Sequence, residues 1–192
     1  MGQNYLPVNL DTQEYLSPGD WGSGAELMEH SWLENQMLCY CAQLLSPGNR
    51  WYNTRVVWAG ENMDKGTFIP DKRHREENLY NYADVKFKHL QKPKVSMEIC
   101  GIKYLVNKNQ NQYINLKKLP PDKKGRIIHP LPLMTCSGNG KGSGAFQGQN
   151  SFTGSWAGDR LSCELIKPDK DYQEIKPNFA KIQSFKKAYV NK

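Results

Sequence analysis

The chain lacks any apolar run near the roughly 18 residues that a bilayer-spanning helix needs, and its N-terminus has no basic stretch followed by an apolar one. Neither a membrane anchor nor a secretory leader is expected, and a soluble cytoplasmic protein without a membrane partner is. The cysteines are few: Cys39, Cys41, Cys100, Cys136 and Cys163 are odd in number, irregularly spaced and without a CxxC pair. That argues against a disulfide framework. It also argues against zinc, because Cys39 and Cys41 are too close for the usual ligand pair and no HxxxH accompanies them. Buried, reduced thiols are the expectation, with no metal and no cofactor. Basic residues are scarce at one end. Residues 1–62 hold only Arg50 and Arg55 against seven acidic residues, whereas the remainder holds 24 basic against 12 acidic. Such a division suits a second part that meets an anionic partner, two parts that attract each other, or simply a solvated lysine-rich surface.

What is present can build a core. At 192 residues, 38% hydrophobic, with five Trp, ten Tyr and six Phe, the chain has the length and aromatic content for one sizeable domain spanning 1–192. Tyr5–Asn9 and Gln13–Leu16 flank a polar turn and read as a hairpin, with Pro7 placing the first strand at an edge. Ser23-Gly24-Ala25-Glu26 has capping-box spacing before a helical period from Ala25 to Leu45. Arg55–Ala59 reads as a strand, 62–77 as an exposed loop, and 76–90 as a helix stopped by Pro93. Met97–Val106 reads as a strand, Tyr104–Leu116 as a second hairpin, and the Trp156 segment as another strand. Pro120, Pro121, Pro130 and Pro132 forbid a long helix through His129, and Pro177 opens a basic C-terminal helix over 177–189.

Four landmarks recur in order. Tyr5-Leu6-Pro7-Val8-Asn9 matches Tyr104-Leu105-Val106-Asn107, and a tyrosine follows each asparagine by six positions, at Tyr15 and Tyr113. Ser46-Pro47-Gly48-Asn49 matches Ser137-Gly138-Asn139, and Trp58-Ala59-Gly60-Glu61 matches Trp156-Ala157-Gly158-Asp159. The expected architecture is α+β: a mainly antiparallel sheet built from two duplicated hairpin-plus-strand units, roughly 2–62 and 101–165, with two or three packing helices and a helical insertion over 63–96. A three-stranded unit has one apolar face and must bury it, so the copies share a core.

The run Gly138-Asn139-Gly140-Lys141-Gly142-Ser143-Gly144 lies shortly before Gly154-Ser155-Trp156-Ala157-Gly158-Asp159-Arg160. Together with the YLVN hairpin and His129-Pro130-Leu131-Pro132-Leu133, it resembles a family of uncharacterised bacterial and phage proteins carrying GNGxGxG before GxWAGDR. The resemblance implies relatedness without a known activity.

Three functional readings follow. Glycine-rich backbone can form an anion-binding nest, although the spacing is that of neither a phosphate loop nor a dinucleotide fingerprint. The first reading is a non-enzymatic binding protein for an anionic small molecule or nucleic-acid backbone, held by Gly138, Asn139, Gly140, Lys141, Gly142, Trp156 and Arg160. Sequestration of a host signalling nucleotide by a phage protein is one form of it. The second is a hydrolase acting on a phosphorylated or nucleic-acid substrate. Its candidates are Asp159 and Glu61 as an acid pair and His129 as a base, with Cys136 or Ser137 as the nucleophile. The third is a structural scaffold that docks an acidic partner or a second copy of itself as a homo-oligomer. Lysines interleaved with Tyr104 and Tyr113 would also suit nucleic acid, although hairpin tyrosines more often pack across strands.

Overall fold

Alternation along β1 (Tyr5–Asn9) sends Tyr5 to one face of the sheet and Leu6 and Val8 to the other, and both faces are covered. The computed structural model describes residues 3–94, 101–138 and 151–179. The glycine-rich residues 139–150 and all but the first three residues of the expected C-terminal helix lie outside them. Pro177–Phe179 are described and are not helical.

The fold is α+β, with four helices and a mixed, mostly antiparallel sheet of nine strands. The strands are β1, β2 (Glu14–Tyr15), β3 (Thr54–Gly60), β4 (Lys88–His89), β5 (Tyr104–Asn107), β6 (Gln112–Asn115), β7 (Cys136–Ser137), β8 (Arg160–Glu164) and β9 (Gln173–Glu174). Their order is β4-β2-β1-β3-β8-β5-β6-β9, with β7 pairing β3 in parallel. From the central β3–β8 pair outward the two halves read alike: an antiparallel hairpin, then a two-residue parallel edge strand.

The detail matches as well. Asn9 Oδ1 accepts from the backbone of Asp11 and Thr12, and Asn107 Oδ1 accepts from Asn109 and Gln110. Gln13 and Asn111 close the two turns at φ of 52° and 50°. The edge strands are tied by Lys88 and Leu90 amides on one side and by Gln173 and Ile175 amides on the other. The Trp51 indole donates to Glu14 (2.9 Å) and the Trp156 indole to Gln112 (3.1 Å). In this bond Trp156 is like Trp51 and not, as the shared Trp-Ala-Gly suggests, like Trp58. Trp58 lies within β3 and donates to His30, whereas Trp156 sits in the turn before β8 and not in a strand.

Helices α1 (Leu27–His30), α2 (Gln36–Leu44) and α4 (Pro130–Thr135) cover the first face, packing on Tyr5, Leu16, Val56, Trp58, Leu105, Ile114, Leu161 and Cys163. Trp51, Trp58 and Trp156 are fully buried. Each withdraws on the order of 200 Å² from water, a transfer term of about 5 kcal/mol. Helix α3 (Leu79–Lys86) lies on the second face, over Leu6, Val8, Leu10, Val57 and Ala59. It exists only in the first half, where 27 residues separate β3 from β4. Eight residues separate β8 from β9.

Three local expectations are corrected. The helix expected over 25–45 is two helices, because 31–35 leaves helical geometry where Trp32 bridges to Ile128. Its capping box is formed by Glu26 and Glu29, and Asn35 caps α2. The helix expected over 76–90 stops at Lys86, and Lys88–His89 become strand. Pro7 is interior, paired with Trp58. Its carbonyl accepts from Leu16, so its missing donor faces the same way, just past the end of β2, where the ladder has stopped. Among the described residues no helix is long and apolar enough to cross a membrane.

Gly158 needs to be glycine twice over. Its φ is 79°, and an added Cβ would lie 2.4 Å from the Phe68 ring. Gly158→Ala should cost about 2–4 kcal/mol, seen as a lower urea midpoint. An unchanged midpoint would contradict this packing.

Candidate functional site

The two hairpin turns meet at the β3–β8 seam. Antiparallel register sets Arg55 opposite Arg160, and both side chains fall on the second face, beyond Val57 and beside Ser162. The Asn9-clasped turn carries Asp11 back over β3. There its carboxylate accepts from the Arg55 amide (3.1 Å), from Arg55 Nε (2.7 Å) and from Arg160 Nη1 (2.8 Å). Arg160 Nη1 also donates to the Asn53 carbonyl (3.1 Å). In the other half Asn109 takes the place of Asp11 and accepts from the Arg160 amide (2.7 Å), bringing no charge.

One carboxylate thus faces two guanidiniums, each with a side chain 47% exposed. Partial burial opposes ionisation of Asp11, but the Arg55 hydrogen bonds and the charges of Arg55 and Arg160 outweigh it and hold the carboxyl below the usual range. Next along the same face, Glu164 accepts from Ser162 (2.7 Å) and Tyr52 (3.1 Å) and pairs with Lys108 at 3.5 Å. The Lys108 ammonium also sits 5.5 Å from the Tyr172 ring centroid. A guanidinium pair of this kind offers planar, always-charged donors to a carboxylate or phosphate.

The hydrolase residues are not brought together. Glu61 follows the end of β3 and accepts from Asn4, whereas the Asp159 carbonyl accepts from the Val56 amide. Five residues of strand separate those positions, about 16 Å. Asp159 is held by two neutral groups, Asn107 (2.8 Å) and Gln110 (2.7 Å). His129 is wholly buried and caps α4, its Nδ1 accepting from the Leu131 amide at 3.2 Å. Cys136 lies at the far end of that helix, about 10 Å away by helical rise, with its thiol on the Leu133 carbonyl.

Among the ligand-binding candidates, only Arg160 is both described and half open to solvent. Trp156 is sealed in the core and cannot stack on a ligand. Gly138 is wedged against Gln3 and Tyr5, where a Cβ would lie 2.4 Å from Gln3 Nε2. The residue before it, Ser137, pairs with Ala59, about 13 Å along β3 from Arg55. Asn139, Gly140, Lys141 and Gly142 lie outside the described residues. Sequence reasoning missed Arg55 and Asp11 as site residues. The available signal was the shared Trp-x-x-x-Arg spacing of Trp51–Arg55 and Trp156–Arg160. Among the described residues no three His, Cys, Asp or Glu side chains converge as a metal site.

The buried histidines set a pH response. Burial pushes His129 down to about 3 and His30 to about 4, the latter despite a bond to the Gly24 carbonyl. Both are neutral when folded and titrate near 6.5 when unfolded, so the unfolded chain binds more protons below pH 6.5. Stability is complete above that pH and falls as pH drops toward 4, by about 1.4 kcal/mol per pH unit for each histidine. Urea unfolding across pH 7 to 4 should show a slope of about two protons, reduced to about one in His129→Gln. A flat profile would contradict neutral burial.

No family model, curated protein or solved structure matches this chain.

Proposed function

We propose that this is a non-enzymatic protein that binds an anionic, phosphate-bearing partner at the β3–β8 seam, through Arg55 and Arg160. One observation carries the reading: two half-exposed guanidiniums converge on a single carboxylate, leaving unbalanced charge and unused donors on one face. The dispersal of Glu61, Asp159 and His129 favours binding over hydrolysis. The division of charge, with the excess of basic residues after residue 62, favours an anion as the partner.

The proposal includes a duplicated origin for the sheet. Its support is the paired set of asparagine clasps, tryptophan bonds and edge-strand ties, with Trp51 rather than Trp58 as the counterpart of Trp156. Duplication accounts for two arginines at one seam, since each half supplies the same strand position. A cytoplasmic setting, membership of the family sharing GNGxGxG and GxWAGDR, and sequestration of a signalling nucleotide belong to the same reading.

Calorimetry at low salt with inorganic phosphate and a nucleoside monophosphate should detect binding. Arg55→Ala combined with Arg160→Ala should weaken it at least tenfold, the loss of about one charge-assisted hydrogen bond. Absence of binding by the wild type, or full affinity in the double variant with its fold intact, would overturn the assignment.

A further inference from the structure

We propose that the Asp11 carboxylate is an internal occupant of the arginine pair, holding the position that a phosphoryl group of the ligand takes, so that binding requires Asp11 to leave. This rests on the reading of Arg55 and Arg160 as an anion site. It adds how that site is regulated.

The Asp11 oxygens divide between the two guanidiniums, Oδ1 to Arg55 Nε and Oδ2 to Arg160 Nη1. A phosphoryl group has two oxygens of similar spacing and can bridge the same donors. It carries up to two charges where the aspartate has one, and so competes favourably for a pair of cations.

Release of Asp11 leaves the hairpin standing. The turn is shaped by Asn9 Oδ1, which accepts from the Asp11 and Thr12 amides, and by Thr12 Oγ1, which donates to Glu14. None of these three bonds uses the Asp11 side chain. That side chain is 20% exposed, so it has a path to water without opening the core. What it surrenders is two ion pairs at a partly exposed surface, each of modest worth, and the bond from the Arg55 amide.

The other half serves as an internal control. Asn109 holds the equivalent place and accepts from the Arg160 amide without charge. A neutral side chain therefore suffices to finish a turn of this shape, and the charge at Asp11 is not required for the fold.

The test is phosphate binding by Asp11→Asn, which keeps shape and an amide-accepting oxygen while removing the competing charge. Affinity for inorganic phosphate should rise about tenfold over wild type, and the rise should vanish when Arg55→Ala and Arg160→Ala are added. An unchanged or weaker affinity in Asp11→Asn would overturn the competitor role. If the arginine variants still abolished wild-type binding, the anion site itself would stand. If neither wild type nor Asp11→Asn bound phosphate, both would fall. A second readout needs no variant: the Asp11 carboxyl carbon-13 resonance of the wild type should move to that of a solvated carboxylate at saturating phosphate. A resonance that stays in place while phosphate binds would also refute the displacement.

Discussion

Two register pairs, Thr54 with Leu161 and Arg55 with Arg160, join five strands on one side, β7 included, to four on the other. The join is short, and the bonds just beyond it share the load: the Val56 amide donates to Asp159 and the Gly158 amide to Val56. Everything on the first face depends on this junction. Val56 and Trp58 of one half and Leu161 and Cys163 of the other line one continuous apolar floor. Neither half closes that floor alone, since each small sheet has an apolar face to bury.

The second face follows a different rule, set by the length of one connection. The long link from β3 to β4 supplies α3, which covers Leu6, Val8 and Val57. The short link from β8 to β9 has no room for a helix, and this side of the face carries Ser162 and Glu164 on β8 and Lys108 just after β5. Cover by α3 therefore ends at the seam; beyond it Val106, Tyr113 and Ser162 are still buried, with Glu164 and Lys108 as the charged side chains among them. Charged side chains at that border keep water while their backbones remain inside the sheet. The arginine pair stands there because each half supplies one arginine at its innermost strand position.

Buried polar groups show a similar division of labour. Glu14 and Gln112 each hold a buried tryptophan, one with a carboxylate and one with an amide, and Glu14 also pairs with a cation, Arg50. His30 is spent on Trp58 and Gly24, and His129 on the start of α4. A histidine used in this way is a neutral hydrogen-bonding element in the core, because desolvation disfavours its charged form. The cysteines Cys39, Cys41, Cys136 and Cys163 are likewise buried. Burial raises Cys41 and Cys163 well above the ordinary thiol range, which makes them poor nucleophiles.

The sequence by itself determined the two hairpins, since the alternating YLxVN and YLVN runs, their asparagines and the tyrosines six positions on are local signals. It determined the α+β class and the existence of helices near 27–44 and 79–86 for the same reason. It could not determine the break between α1 and α2, which depends on a bridge from Trp32 to Ile128, 96 positions away. Nor could it rank Trp51 above Trp58 as the partner of Trp156: three shared letters outweighed a spacing whose meaning lies in bonds to Glu14 and Gln112. The candidate site belongs wholly to the tertiary structure. Asp11, Arg55 and Arg160 come from a turn and two strands spread over 149 positions, and only antiparallel register across the seam puts three charges within hydrogen-bonding reach.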